Sequence, residues 1–202
     1  MCGQTGVLLT STNAVEWTSR TAGFTGSIRS IIFTSTLNQF LYGGETGGTI
    51  ATSTDAISWV LRTGPEGMNQ SVSTFAFGNG LYLAGYGGGR GIATSTNGIN
   101  WVFRTAVVST ATELNDYSCS VFGNNLWVIA GQNGATGSLL GIIQSSTDTI
   151  VWTIRTTGSR TFSGTGVTNP TFSISALSNG GEPRRGAFAT VNGVNTFIIC
   201  GD

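Results

Sequence analysis

Hydrophobic and polar positions alternate along this chain in short runs, and turn-forming residues break the runs at regular places. A period of two predicts β-strands with one buried face. One run recurs four times: "LLTSTNAVEWTSRT" from Leu8, "IATSTDAISWVLRT" from Ile50, "IATSTNGINWVFRT" from Ile92 and "IQSSTDTIVWTIRT" from Ile143. Its tryptophans, Trp17, Trp59, Trp101 and Trp152, lie 42, 42 and 51 residues apart. A period of about 40–45 residues is that of a four-stranded propeller blade. Helical repeats of similar length are disfavoured by the Gly, Thr and Asn content and by the β-branched alternation.

A second half-repeat lies between these runs. It reads "FAFGNGLYLAGYGGG" from Phe75 and "SVFGNNLWVIAGQNG" from Ser120, with looser copies from Ile31 and Phe188. The Asn and Gly pairs predict tight hairpin turns, because both residues tolerate positive φ. Each unit therefore reads as four strands, A to D. Strand B ends at a small residue, read as the column Gly43, Ala84, Ala130 and Cys200. Crowding near a propeller axis explains such a column, and it makes Cys200 a buried small residue rather than a nucleophile.

The chain opens with strands C and D and closes with strands A and B. Joined end to start, the text completes a fourth unit. The expected fold is all-β: a four-bladed β-propeller closed by a blade shared between the termini. Expected blades span about 24–63, 66–105, 115–156, and 186–202 plus 1–21, with an insertion at about 157–185. Two other readings stay open, a fragment of a longer array and exchange of the half-blade between two chains. Cys2 and Cys200 fall near the seam, where a disulfide is geometrically allowed.

Composition narrows the functional classes. Only 9% of residues are charged, and the nine basic ones, all arginine, balance nine acidic ones. Nothing here grips nucleic acid or an anionic membrane. No apolar run is long enough to span a bilayer. The start, "MCGQTG", lacks the features of a signal peptide, so an extracellular or virion-surface location would need another exit, such as release with a virus particle. Three cysteines make no disulfide framework.

The phrase "STDAISW" from Ser53 to Trp59 resembles the Asp-box, the repeat of bacterial neuraminidase (BNR-like, sialidase-type) propellers. The copies here are one residue shorter. Asp55 and Asp148 keep the aspartate, Asn13 and Asn97 replace it, and the motif's glycine appears only at Gly98. The resemblance implies a structural turn at the blade edge, away from any active site. On that reading Asn13, Asp55, Asn97, Asp148 and the four tryptophans are scaffold: a short polar side chain caps backbone N–H groups and the indole covers the hairpin. Shortened boxes of this style resemble those of bacteriophage and viral appendage proteins. The family's enzymes use an arginine triad, a Tyr–Glu pair and an Asp on six blades; those positions are not placed in this sequence, which is too short for six blades.

Strands that alternate in direction put the Asx and Asn-Gly turns on one face and the glycine-rich loops on the other. Arg20, Arg62, Arg104 and Arg155 each follow the marker tryptophan by three residues. A residue that recurs once per unit predicts a structural tie on strand D. The non-repeating loop charges Arg29, Glu66, Arg90, Glu113, Asp116, Arg184 and Arg185 are the candidates for ligand or partner contact. Histidine is absent, which excludes Ser-His-Asp and Cys-His catalysis and histidine metal sites. No metal ligand set and no cofactor are expected. A glycosidase needs only two suitably spaced carboxylates, so it remains as an alternative. The expected function is a non-enzymatic structural or adhesive module that contacts glycan or the proteins of an assembly, without nucleic acid or membrane insertion. An oligomer is compatible with this reading.

Overall fold

The computed structural model describes residues 1–65, 69–87, 91–105, 115–133, 140–157 and 183–201. The chain is all-β and antiparallel. Strands β1 (Leu9–Thr10) and β2 (Thr18–Ser19) form a two-stranded sheet. Strands β3 (Ile28–Thr34), β4 (Gln39–Gly44), β5 (Ile50–Ser53) and β6 (Val60–Arg62) form the first four-stranded sheet in simple meander order. The second is β7 (Val72–Gly78), β8 (Leu81–Tyr86), β9 (Gly91–Ser95) and β10 (Val102–Thr105). The third is β11 (Asn115–Gly123), β12 (Leu126–Asn133), β13 (Leu140–Ser146) and β14 (Thr153–Thr157). The hairpin β15 (Pro183–Val191) and β16 (Val194–Gly201) ends the described chain. No helix among the described residues is long and apolar enough to cross a membrane.

The first strand of each unit lies against the first strand of the next: β3 on β7, β7 on β11, β11 on β15. Apolar cores fill the spaces between consecutive sheets. Leu41 and Ile50 pack on Val72, Phe75 and Tyr82. Leu83 and Ile92 pack on Tyr117, Trp127, Ile129 and Trp152. Cys119, Val121 and Val128 pack on Phe197, and Leu8 and Ala22 pack on Ile28, Tyr42 and Ala51. Each fully buried aliphatic or aromatic side chain stabilises the fold by roughly 1.5–3 kcal/mol. Polar ties cross the same spaces: the Thr34 and Tyr82 hydroxyls meet at 2.6 Å, and those of Thr74 and Ser120 at 2.9 Å.

The register aligns the repeats residue by residue. Phe33 faces Phe40, Phe77 faces Tyr82, Phe122 faces Trp127 and Phe188 faces Phe197. The small column is therefore Gly43, Gly85, Ala130 and Cys200; Ala84 lies one place earlier than the sequence reading put it. Its cause is crowding: a Cβ on Gly43 would meet Val72 of the neighbouring sheet, and one on Gly85 would meet both Thr74 across its own sheet and Tyr117 of the next.

Two expectations are corrected. The pairing of β16 with β1 that would complete a shared unit is not formed: among the described residues β16 pairs with β15 alone, and β1 with β2 alone. Leu8 instead bridges Cys2, and Met1 exchanges both main-chain bonds with Leu9. Cys200 is consequently exposed rather than buried: among the described residues no strand pairs with the outer side of β16. All three cysteines are free thiols.

Candidate functional site

The turn between the third and fourth strands has one construction in every repeat. Asp55 Oδ1 accepts hydrogen bonds from the backbone N–H of Ile57 and Ser58 at 2.8 and 2.7 Å, and from the Ser53 hydroxyl at 2.9 Å. Asn13, Asn97 and Asp148 accept the same set from their own turns. The next residue has positive φ: Ala14 59°, Ala56 59°, Gly98 70° and Thr149 64°. Only Gly98 occupies that region without a Cβ penalty. The Trp101 and Trp152 indole N–H groups donate to the carbonyls of Gly98 and Thr149. Arg20, Arg62, Arg104 and Arg155 each donate from Nε to a hydroxyl across the same strand pair, on Thr10, Thr52, Thr94 and Ser145. These residues are engaged inside the turn and sheet.

The bonds that hold Asp55 place its carboxyl well below the ordinary carboxylate range, chiefly through the Ser58 and Ile57 N–H groups and then the Ser53 hydroxyl. Asp148 is lowered by Val151, Ile150 and Ser146 in the same way. A carboxyl lowered in the folded state contributes stability above its unfolded value, near 3.9, and that contribution fades as pH falls through the folded value. The double change D55N and D148N is expected to flatten acid destabilisation below about pH 4, while the asparagines keep the turn as they do at Asn13 and Asn97. Urea midpoints measured from pH 6 to pH 2 check this; parallel curves for variant and parent would reject it.

A second feature repeats at the opposite end of the first strands. Each carries a β-bulge near its start, between Ile28 and Ser30, Val72 and Thr74, Tyr117 and Cys119, and Pro183 and Arg185. Bulges re-aim side chains. Here the bulge residues Arg29, Ser73 and Ser118 line one central cavity of about 1020 Å³. Asp116 and Arg185 stand on its wall beside them, as do Glu45, Ser27 and Ser71. The N-terminal segment contributes Cys2, Gly3 and Gln4. A smaller chamber of about 240 Å³ shares Cys2, Arg29, Ser73 and Arg185 and continues to Ile31, Phe75 and Cys119.

Arg29 forms an ion pair with Glu45. The Glu45 carboxyl is held below its ordinary range, first by a bond from Ser27 and then by Arg29. Burial raises the Cys2 thiol and pushes Cys119 up to about 12, so neither is a ready thiolate. Among the described residues, no group of His, Cys, Asp and Glu is arranged to hold a metal ion.

Of the sequence candidates, the structure brings Arg29, Asp116 and Arg185 to this cavity. Arg184 is described in its backbone only, within β15. Glu66, Arg90 and Glu113 lie outside the described residues. Glu45 and the serines were not among the candidates. Their signal was the alternation of polar residues at the start of each first strand: Ser27 and Arg29, Ser71 and Ser73, Asp116 and Ser118.

No family model and no curated protein matches the chain. One solved structure similar to it is that of an N-acetylgalactosamine deacetylase from F. plautii in complex with blood group B trisaccharide. The TM-score is 0.45 at 14% identity, and the match covers 95% of this chain and 64% of that one. That neighbour is an enzyme, and the expectation that the present chain is not one is withdrawn on this finding. A likeness of this degree transfers no residue role or reaction.

Proposed function

We propose that the central cavity is a binding site for a neutral carbohydrate. The observation that carries the reading is its wall: hydroxyls, amides and two arginines with two carboxylates, drawn from every first strand. Each saccharide hydroxyl both donates and accepts, and this set supplies both functions. The formal charges of Arg29, Arg185, Glu45 and Asp116 cancel, which favours an uncharged polyol over a polyanion. With the site goes a finer reading of the fold, in which the sheets are the blades of a four-bladed ring of the Asp-box kind.

A glycan array of neutral and sialylated oligosaccharides, followed by calorimetry on the best neutral hit, tests the site. The change Arg29→Ala is expected to weaken binding at least about tenfold, equivalent to about 1.4 kcal/mol. Val15→Thr, in the turn on the opposite face, should leave affinity unchanged. Binding confined to sialylated glycans, or indifferent to Arg29, would remove the proposal. Turnover is a second reading, favoured by Glu45 and Asp116 lining the same cavity, since two carboxylates are what glycoside hydrolysis requires. Product release that disappears in E45Q or D116N would establish it.

A further inference from the structure

The two incomplete sheets are already seated where one shared unit would place them. The β1–β2 pair packs through Leu8 and Ala22 on the first four-stranded sheet. The β15–β16 pair packs through Phe188 and Phe197 on the third. Their side chains show what is missing. Ile198 aligns with Leu41, Leu83 and Val128, which are 0%, 0% and 1% exposed, yet Ile198 is 59% exposed. Trp59 and Trp101 pack on the second-strand aromatics Phe40 and Tyr82 of their own sheets. The residue aligned for Trp17 is Phe197, on β16, and Trp17 is 43% exposed.

What lies on the inner edge of β1 is the segment Met1–Gly3. Met1 N–H donates to Leu9 O, Leu9 N–H donates to Met1 O, and Gly3 N–H donates to Val7 O. Cys2 thereby faces Leu8. In the complete sheets the residue facing the equivalent position is Gly43 opposite Ile50, Gly85 opposite Ile92 and Ala130 opposite Ile143. The aligned residue of the last hairpin is Cys200, so Cys2 occupies the place of Cys200. Local pairing of this kind closes a short loop and is entropically easier than pairing strands from opposite ends of the chain.

We infer that Met1–Gly3 and β16 compete for the inner edge of β1, and that β16, on displacing the segment, pairs in the register Cys200 with Leu8, Ile199 with Leu9, Ile198 with Thr10 and Phe197 with Ser11. The register follows from the three complete sheets and admits no one-residue slip, which would turn Ile198 to the opposite face. Displacement also takes Cys2, Gly3 and Gln4 off the cavity wall, so the exchange reshapes the central site. The inference rests on the ring reading and is independent of what the cavity binds.

Cysteines at Thr10 and Ile198, in a chain also carrying C2S and C200S, test it under oxidised glutathione. Directly opposed strand residues approach to a Cβ separation of about 4.5 Å, the upper end of disulfide geometry, and so can be bridged. An intramolecular disulfide is expected for T10C with I198C and none for T10C with V194C. Adding Gly3→Pro removes the Gly3 N–H, and proline cannot adopt the extended φ of −172° found there. It is expected to speed cross-linking at least about fivefold. Equal rates with and without Gly3→Pro would overturn the competition while leaving the ring standing. A folded protein that never cross-links would overturn both, and cross-linked dimers would overturn closure within one chain.

Discussion

Trp152→Ala is expected to lower stability by about 3–5 kcal/mol, the range for deleting a large aromatic side chain from a packed core. Trp152 is 3% exposed and lies with Leu83, Ile92, Tyr117, Trp127 and Ile129 between the second and third sheets. Its loss leaves a cavity bounded by two rigid sheets, and it strips the Thr149 carbonyl of the indole N–H donor. The same change at Trp17, 43% exposed, is expected to cost under about 1 kcal/mol. Urea unfolding with tryptophan-independent circular dichroism measures both. Equal costs would show that Trp17 is covered in solution as its counterparts are.

Gly131→Ala is expected to cost more than about 3 kcal/mol, or to prevent folding of the third sheet, because overpacking against main chain has nowhere to relax. A Cβ there would overlap the Asp116 carbonyl oxygen and crowd the backbone of Tyr117. This is the bulged part of β11, where Gly131 pairs with Tyr117 before the register shifts at Cys119. The matched control is Gly80→Ala: nothing lies within 4 Å of its Cβ, and its only cost is positive φ, about 1 kcal/mol. Comparable midpoints for the two variants would show that β11 moves aside, and the cavity wall with it.

Repetition made much of the architecture legible. The Asn79-Gly80 and Asn192-Gly193 turns, with positive φ throughout, follow from residue types alone. So does the capping by Asp55 and its counterparts, since few short side chains reach backbone N–H groups two and three residues ahead. Burial was not legible in the same way. Four tryptophans that look equivalent in the chain differ in burial, and among the described residues no strand other than β2 pairs with β1, the strand that precedes Trp17. Cys200 was placed in the interior on the strength of a column that, among the described residues, has no third strand beside β16. The cavity was legible only in part. Arg29 stood out as a non-repeating charge, but the bulges that gather Arg29, Ser73 and Ser118 arise from strand register, which no single strand reveals.

The Asx turns bear on how the protein ages. An Asn-Gly step such as Asn97-Gly98 is chemically labile, because the glycine nitrogen can attack the asparagine side chain and release ammonia. Here that nitrogen is committed to the Ser95 hydroxyl at 2.9 Å, and the Asn97 carbonyl oxygen is pinned by two N–H groups. Attack requires both to let go. Where it does occur, hydrolysis to ordinary aspartate yields the side chain that Asp55 and Asp148 already carry in the same frame. Isoaspartate, with its lengthened main chain, has no such precedent among the four turns.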